Sequence, residues 1–169
     1  KILGVKLSEI LFEKYKKDII CLMPTNLYGE NDNFDIASSH VIPGLITKFL
    51  KAKKNNSSVE IWGSGKAIRE FLHVDDLASA IFTLLKTDKT MLSKIFKNKL
   101  PILNVGSGDS LTIKKLAFLI KRITAFKGKI YFIKSYSDGT INKNLDSSKI
   151  AKFKWRAQIK ISAGLKKVI

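Results

Sequence analysis

An arginine, Arg69, lies between a glycine-containing loop and the start of a helical pattern. The apolar run Val59–Trp62 is typical of a strand, and Gly63–Gly65 breaks it into a flexible loop. We expect Asp75 and Asp76 to cap a helix that begins at Leu77. The planar guanidinium of an arginine held in this way can donate several N–H groups to a diphosphate. The same pattern also fits a surface arginine beside a loop, so both interpretations stay open.

The run from Arg69 to Asp76, REFLHVDD, resembles a segment of the extended short-chain dehydrogenases/reductases that act on nucleotide sugars. These enzymes form part of the NAD-dependent epimerase/dehydratase family, and the resemblance implies that Arg69 contacts the substrate diphosphate. The preceding run from Trp62 to Gly65, WGSG, is similar to the branch that makes GDP-L-fucose, which implies a substrate contact for Trp62. The same branch implies a substrate contact for Asp138. After Thr140 the likeness weakens, because Ile-Asn replaces the family's Pro-Arg.

A histidine begins a second helical pattern, which runs from His40 to about Lys54. Ser38 and Ser39 precede it and are predicted to cap the helix. By position alone, His40 also fits an ordinary polar residue at a helix start. The run from Ser39 to Leu45 resembles the same branch of the family. That likeness implies that His40 is the acid of epimerisation and lies beside the cofactor, and that Lys48 contacts the substrate.

The sequence opens on a further helical pattern whose first residue is a lysine. The run from Lys1 to Glu9 resembles the family segment that begins with the lysine of a Tyr-x-x-x-Lys pair. The resemblance implies that Lys1 is catalytic, holds the ribose of the cofactor and assists a tyrosine four residues upstream. On its own, Lys1 equally fits an exposed surface lysine.

A predicted buried strand from Asp18 to Met23 is followed by four residues with a second family likeness. The resemblance implies that these four line the nicotinamide end of NADP: Pro24, Thr25, Asn26 and Leu27. Ligands of open α/β sheets lie at the carboxyl ends of strands, which agrees with this position. From the local pattern alone, the segment is a strand-to-loop turn.

The resemblance covers the chain from Lys1 to Ile169 and implies an α/β fold, the carboxyl-terminal part of an extended short-chain dehydrogenase. The sequence contains no glycine-rich strand–turn–helix; Gly106–Gly108 comes closest and lacks the third glycine. We therefore expect the amino-terminal Rossmann half to be missing from these 169 residues. Residues 1–169 are expected to be mostly the substrate-binding domain. Residues 1–29 and about 71–106 are expected to contribute elements to the incomplete nucleotide-binding domain, at the end of its Rossmann-type sheet.

The resemblance implies a reaction in two parts on GDP-4-dehydro-6-deoxy-D-mannose. The 4-keto group acidifies the neighbouring carbons, so a cysteine upstream of this sequence and His40 can invert C3 and C5 by proton transfer. NADPH then delivers hydride to C4, which makes NADP the expected cofactor and a GDP-sugar the expected substrate. We expect the 169 residues alone to be inactive. Two other functions stay open: a different nucleotide-sugar epimerase or dehydratase, and a non-catalytic basic binding module.

The net charge of +17 and the pI near 9.9 would suit a polyanion-binding protein. Only three of the 31 basic residues are arginines, however, and the lysines are spread along the chain. No zinc-ligand spacing or aromatic RNA-binding motif accompanies them. We therefore expect a solvated lysine surface, no nucleic-acid partner and no metal site.

The remaining predictions concern the single cysteine, three segments of the chain and the location of the protein in the cell. The single cysteine, Cys21, lies in an apolar run and is predicted to be a buried thiol. Thr87–Lys99 is expected to be a polar linker, and Leu145–Phe153 and Ser162–Ile169 two short surface helices. No apolar run approaches the roughly 18 residues of a membrane span. A cytoplasmic protein without a membrane segment is expected, and the resemblance implies a homodimer.

Overall fold

The computed structural model describes residues 1–169, which form seven helices and eight strands, so the predicted α/β class is confirmed. The helices are α1 (Ile2–Tyr15), α2 (Val41–Lys54), α3 (Val74–Leu85), α4 (Lys89–Phe96), α5 (Ile113–Ile123), α6 (Ser148–Ala151) and α7 (Ile161–Val168). The strands are β1 (Cys21–Pro24), β2 (Asn26–Tyr28), β3 (Val59–Trp62), β4 (Ile68–His73), β5 (Ile102–Val105), β6 (Ser110–Thr112), β7 (Ile130–Ile133) and β8 (Asn142–Lys143). None of the helices combines the length and the apolar character needed to cross a membrane.

Three small sheets organise these strands. β1 and β5 form a parallel pair in which Cys21 lies opposite Ile102. β3 and β7 form a second parallel pair, with Trp62 opposite Ile133 at its carboxyl end. In the third sheet β4 is central: it pairs in parallel with β2 and β8, and antiparallel with β6. Because β4 holds Arg69, this sheet fixes the position of the predicted diphosphate contact.

Two apolar clusters support the sheets. The larger one includes the buried faces of α2, β3 and α5, because these elements repeat apolar residues at helical or strand spacing. Its main members are Ile42, Leu45, Ile46, Phe49, Val59, Ile61, Leu116 and Ile120. The smaller one packs α3 and β5 against the carboxyl-terminal region. Its members are Leu72, Ala80, Leu84, Leu103, Val105, Ile150, Phe153 and Trp155.

Both predicted helix starts were wrong, by three residues for α3 and by one for α2. α3 begins at Val74, and His73 is its N-cap residue because its Nδ1 accepts the Asp75 backbone N–H at 3.2 Å. α2 begins at Val41 after His40, whose backbone is extended. Ser38 does not cap it, because its hydroxyl donates instead to the Asp35 carboxylate at 2.8 Å.

Three further expectations are corrected. The predicted polar linker contains α4, since Asp88 caps it by accepting the Thr90 backbone N–H at 2.6 Å. Cys21 is half-buried, because strand β1 is incompletely covered. The two terminal helices are more than surface helices, since Ile150 of α6 and Leu165 of α7 are buried in the two clusters.

Candidate functional site

Two of the predicted substrate residues, Lys48 and Trp62, are in contact. Trp62 ends β3 on the strand's outward face, because Val59 and Ile61 occupy the inward positions. The Lys48 ammonium, from the middle of α2, lies 4.9 Å from the centre of the Trp62 indole ring and donates to the Glu60 carbonyl at 3.0 Å. Partial burial of this ammonium lowers the pKa of Lys48. The pair presents a cation and a ring face on one surface.

Arg69 is held by carbonyl groups and keeps its charge free for an anion. Its Nη1 donates to the carbonyl oxygens of Ile68 at 2.8 Å and Thr140 at 2.7 Å, and its Nη2 donates to that of Asp138 at 3.4 Å. None of the six ion pairs in the chain involves this guanidinium. Of its five N–H donors, the Nε–H and one Nη2–H remain available. This arrangement suits a two-pronged contact to phosphate oxygens.

Asp138 joins the loop after β7 to the glycine loop after β3. Its carboxylate accepts the backbone N–H of Ser64 at 2.7 Å and also accepts the Ser64 hydroxyl. The hydroxyl bond is the largest cause that lowers the pKa of Asp138. A Cβ on Gly63 would lie 2.4 Å from the carboxylate, so the loop needs a glycine at that position. Because the Asp138 carbonyl also contacts Arg69, the structure brings Trp62, Arg69 and Asp138 around one pair of loops.

The predicted cofactor segment is tied to the residue that follows Arg69. The side chains of Thr25 and Asn26 both donate to the backbone carbonyl of Glu70, at 3.0 and 2.9 Å. Pro24 and Asn26 are exposed, while Thr25 and Leu27 are half-buried. The segment lies beside β5, where the Thr25 N–H donates to the Val105 carbonyl at 3.0 Å.

Glu70 itself was not predicted from the sequence. Its carboxylate is buried, with 2% of the residue exposed, and it accepts the backbone N–H groups of Gly108 at 2.8 Å and Leu145 at 3.1 Å. It therefore connects β4 with two loops that are distant in sequence. Its position between Arg69 and the apolar pair Phe71-Leu72 is the one sequence signal of its burial.

Lys1 and His40 take no part in this network of hydrogen bonds. Lys1 is exposed at the beginning of α1. His40 is exposed at the start of α2, and its side chain makes no capping hydrogen bond. Their predicted catalytic roles remain predictions, and so do the contacts expected of the other site residues.

Two buried polar side chains, His73 and Tyr28, were also not predicted from the sequence. The Nε2 of His73 and the hydroxyl of Tyr28 are buried without a hydrogen-bond partner, and the two rings meet edge to face with centres 5.2 Å apart. Burial raises the pKa of the Tyr28 phenol. Glu30 and Asp75 each place a carboxylate oxygen 3.5–3.6 Å from the imidazole, so the three residues lie close enough to be potential metal ligands. Proximity alone does not establish a metal site, so the absence of a metal stays a prediction.

Known proteins resemble the chain over nearly its whole length. It is 45% identical to a putative GDP-L-fucose synthase 2 of Arabidopsis thaliana, over 98% of this chain and 48% of that protein. It is 40% identical to the GDP-L-fucose synthase of Escherichia coli, over 98% of this chain and 52% of that protein. The chain thus spans about half the length of the curated relatives it matches.

The fold of the chain also resembles a solved structure. A GDP-mannoheptose C4 reductase from Campylobacter jejuni, solved with NADP bound, matches with a TM-score of 0.79 and 34% identity, over 99% of this chain and 56% of that one. The model of the NAD dependent epimerase/dehydratase family matches residues 1–106. The predicted family resemblance is confirmed: the chain belongs to the NAD dependent epimerase/dehydratase family.

Proposed function

We propose that the chain is the carboxyl-terminal portion of a GDP-L-fucose synthase, which inverts C3 and C5 of GDP-4-dehydro-6-deoxy-D-mannose and reduces C4 with NADPH. The observation that carries the proposal is the arrangement of Lys48, Trp62, Arg69 and Asp138. These residues are up to 90 positions apart in sequence, yet direct contacts link Lys48 to Trp62 and Arg69 to Asp138. The two pairs are connected because Ser64, two residues after Trp62, donates its backbone N–H to the Asp138 carboxylate. Relatives with this enzyme name share 40–45% of the sequence, which supports the same assignment.

In this proposal Arg69 binds the substrate diphosphate. Its two unused N–H groups can donate to phosphate oxygens, while the carbonyls of Ile68 and Thr140 fix the orientation of the guanidinium. The Lys48 ammonium adds a second positive charge on the same side of the molecule as Trp62. Two cations near one surface match the charge of a nucleoside diphosphate.

In this proposal the imidazole of His40 is the proton donor. His40 lies at the exposed beginning of α2, and no capping hydrogen bond occupies its imidazole. A proton removed next to the 4-keto group on one face of the sugar can be returned by this imidazole from the other face. The tyrosine expected four residues upstream would protonate the C4 oxygen as hydride arrives, assisted by Lys1, which would also hold the ribose of the cofactor.

The segment from Pro24 to Leu27 fits the nicotinamide end of NADP. Pro24 is the last residue of β1 and Asn26 is the first of β2, and both are exposed at the carboxyl end of β1, where dinucleotides bind in this class of fold. When bound, the cofactor supplies the hydride for C4. The proposal extends to a GDP-sugar substrate, a homodimer and a cytoplasmic location, all of which follow from the family resemblance.

A second candidate function is C4 reduction of a GDP-sugar without inversion. The similarity to a GDP-mannoheptose C4 reductase, at 34% identity over 99% of the chain, favours it. Arg69 and the cofactor segment would serve either reaction. The two functions differ in whether His40 exchanges protons at C3 and C5, so the product stereochemistry distinguishes them.

A hybrid enzyme tests the proposal. The amino-terminal half of the E. coli relative is joined upstream of Lys1, and NADPH oxidation is measured with GDP-4-dehydro-6-deoxy-D-mannose. We expect oxidation and GDP-L-fucose as the product, while the 169-residue chain and the E. coli half alone each give none. A folded hybrid whose product is reduced at C4 but not inverted would replace the first candidate by the second. A folded hybrid without any oxidation would overturn both.

A further inference from the structure

The ring of Tyr136 stacks on the indole of Trp62 at the candidate site. The two ring centres are 4.9 Å apart and the ring planes differ by 19°. Trp62 is 63% exposed and Tyr136 is 50% exposed. Stacked aromatic rings that remain this exposed contribute little to a core, since their large apolar surfaces face water. Lys48 lies over one face of Trp62 and Tyr136 over the other, so the pair forms a platform whose open face is the outward face of Tyr136.

The sheet explains why the two rings meet. β3 and β7 run in parallel, and their last residues, Trp62 and Ile133, lie opposite each other. The chain turns directly after β7, where the Tyr136 N–H donates to the Ile133 carbonyl at 3.2 Å. This turn directs Tyr136 towards the same edge as Trp62. Two residues further on, Asp138 fixes the loop to Ser64, so both ends of the platform are anchored.

Helix α2 connects His40 with the platform through Lys48. Lys48 contacts Trp62 and lies eight residues after His40. At 1.5 Å per residue, this separates the two positions by about 12 Å along the axis of α2. That length accommodates the sugar and part of the diphosphate of a nucleotide sugar. If the reacting sugar lies at His40 and the diphosphate at Arg69, the nucleoside extends towards the platform.

We propose that Trp62 and Tyr136 form a stacking platform for the nucleobase of the substrate, and that the platform favours a purine over a pyrimidine. This inference rests on the proposed function, because it takes Arg69 as the diphosphate contact. A purine has the larger ring system and covers more of the outward face of Tyr136, which Trp62 supports from behind. The neighbouring cations Lys48 and Arg69 match the phosphates that accompany the base. Stacking does not discriminate guanine from adenine, so that choice needs hydrogen bonds from other groups.

Calorimetric titration of the 169-residue chain and of the hybrid enzyme tests the platform, with GDP, UDP and inorganic pyrophosphate as the probes. We expect GDP to bind more tightly than UDP. Base–aromatic stacking contributes about 1–3 kcal/mol, so Tyr136→Ala should weaken GDP binding by roughly 5- to 150-fold. Tyr136→Phe should bind GDP like the original chain. Tyr15→Ala, which removes a tyrosine of similar exposure from the end of α1, is the matched control.

Pyrophosphate separates the platform from the proposed function. Its binding should be unchanged in Tyr136→Ala and weakened in Arg69→Lys. Unchanged GDP binding in Tyr136→Ala, with pyrophosphate binding still sensitive to Arg69, would overturn the platform and leave the proposed function intact. Absence of GDP and pyrophosphate binding in both proteins would overturn both.

Discussion

Asp138 and Ser64 are joined by two hydrogen bonds, although 74 positions separate them in sequence. The carboxylate accepts both the backbone N–H and the hydroxyl of Ser64, and so closes the glycine loop after β3 against the loop after β7. Trp62 precedes one loop and Tyr136 lies in the other. The carboxylate therefore joins the two segments that carry the aromatic pair.

Lowering the pH should weaken the hydrogen bonds between Asp138 and Ser64. Hydrogen bonds from Ser64 hold the pKa of Asp138 below its ordinary value of 3.8. Because the folded-state pKa is lowered, the stabilisation is complete above the unfolded-state pKa and is lost as the pH falls through the folded-state pKa. We expect Trp62 fluorescence to change in that acidic range in a Trp155→Phe background, which leaves Trp62 as the single tryptophan.

Asp138→Asn should remove this transition because an amide does not titrate. Asp88→Asn is the matched control, since hydrogen bonds from Thr90 also lower the pKa of Asp88, far from Trp62. The explanation fails if both variants retain the wild-type transition, or if the control alone abolishes it.

Arg69→Lys tests the diphosphate contact in the hybrid enzyme. Lysine keeps the positive charge but loses the fixed pair of N–H donors, so GDP-sugar binding should weaken by about 1–3 kcal/mol. The dissociation constant of the nucleotide sugar measures the change. Arg122→Lys, on the exposed side of α5, makes the same chemical change away from the site and should have no effect. Equal affinities for the two variants would remove Arg69 from its assigned role.

Glu70→Gln tests the buried connection between β4 and its neighbouring loops. The glutamate accepts two backbone N–H groups, and a glutamine places an NH₂ group opposite one of these donors. Leaving buried donors unpaired costs about 1–3 kcal/mol of unfolding free energy. Urea unfolding measures this loss, with the exposed substitution Glu13→Gln as the control. A Glu70→Gln protein as stable as the control would show that the two loops hold without the carboxylate.

Elements with strong local periodicity were predictable from the sequence. The helix from Thr112 contains Ile113, Leu116 and Ile120 on one face, and the structure has α5 at Ile113–Ile123 with Thr112 as its cap. The family motifs around Arg69 and His40 supplied candidate site residues, whose roles stay predictions. α4 was missed because its short apolar pattern is interrupted by lysines and lies in a polar stretch.

The unpredicted parts of the site depend on contacts between distant segments. Tyr136 reaches Trp62 only because β3 and β7 pair in parallel across about 70 residues. The partners of Glu70 are backbone N–H groups, which carry no residue-specific signal in the sequence. His73 lies within the run from Arg69 to Asp76, and its role as a helix cap depends on the orientation of its ring, which the sequence does not encode locally.

Replacing His40 separates inversion from reduction in the hybrid enzyme. If His40 returns protons to the sugar, His40→Asn should slow epimerisation by about 10²–10⁴-fold, the usual contribution of general acid–base catalysis. Hydride transfer depends on Lys1 and the upstream tyrosine, so it should fall less. In heavy water, inversion by proton exchange places deuterium at both C3 and C5, and mass spectrometry of the product measures it. The variant should release product reduced at C4 with little deuterium at either carbon.

A neighbouring substitution controls for damage to the beginning of α2. Ser38→Ala removes a hydroxyl that bonds Asp35 two residues before His40, without touching the imidazole. This control should incorporate deuterium at the wild-type rate. Wild-type incorporation in His40→Asn as well would make His40 an ordinary helix-start residue. Another group would then return the protons, because deuterium at C3 and C5 shows that exchange continues at both carbons without the imidazole.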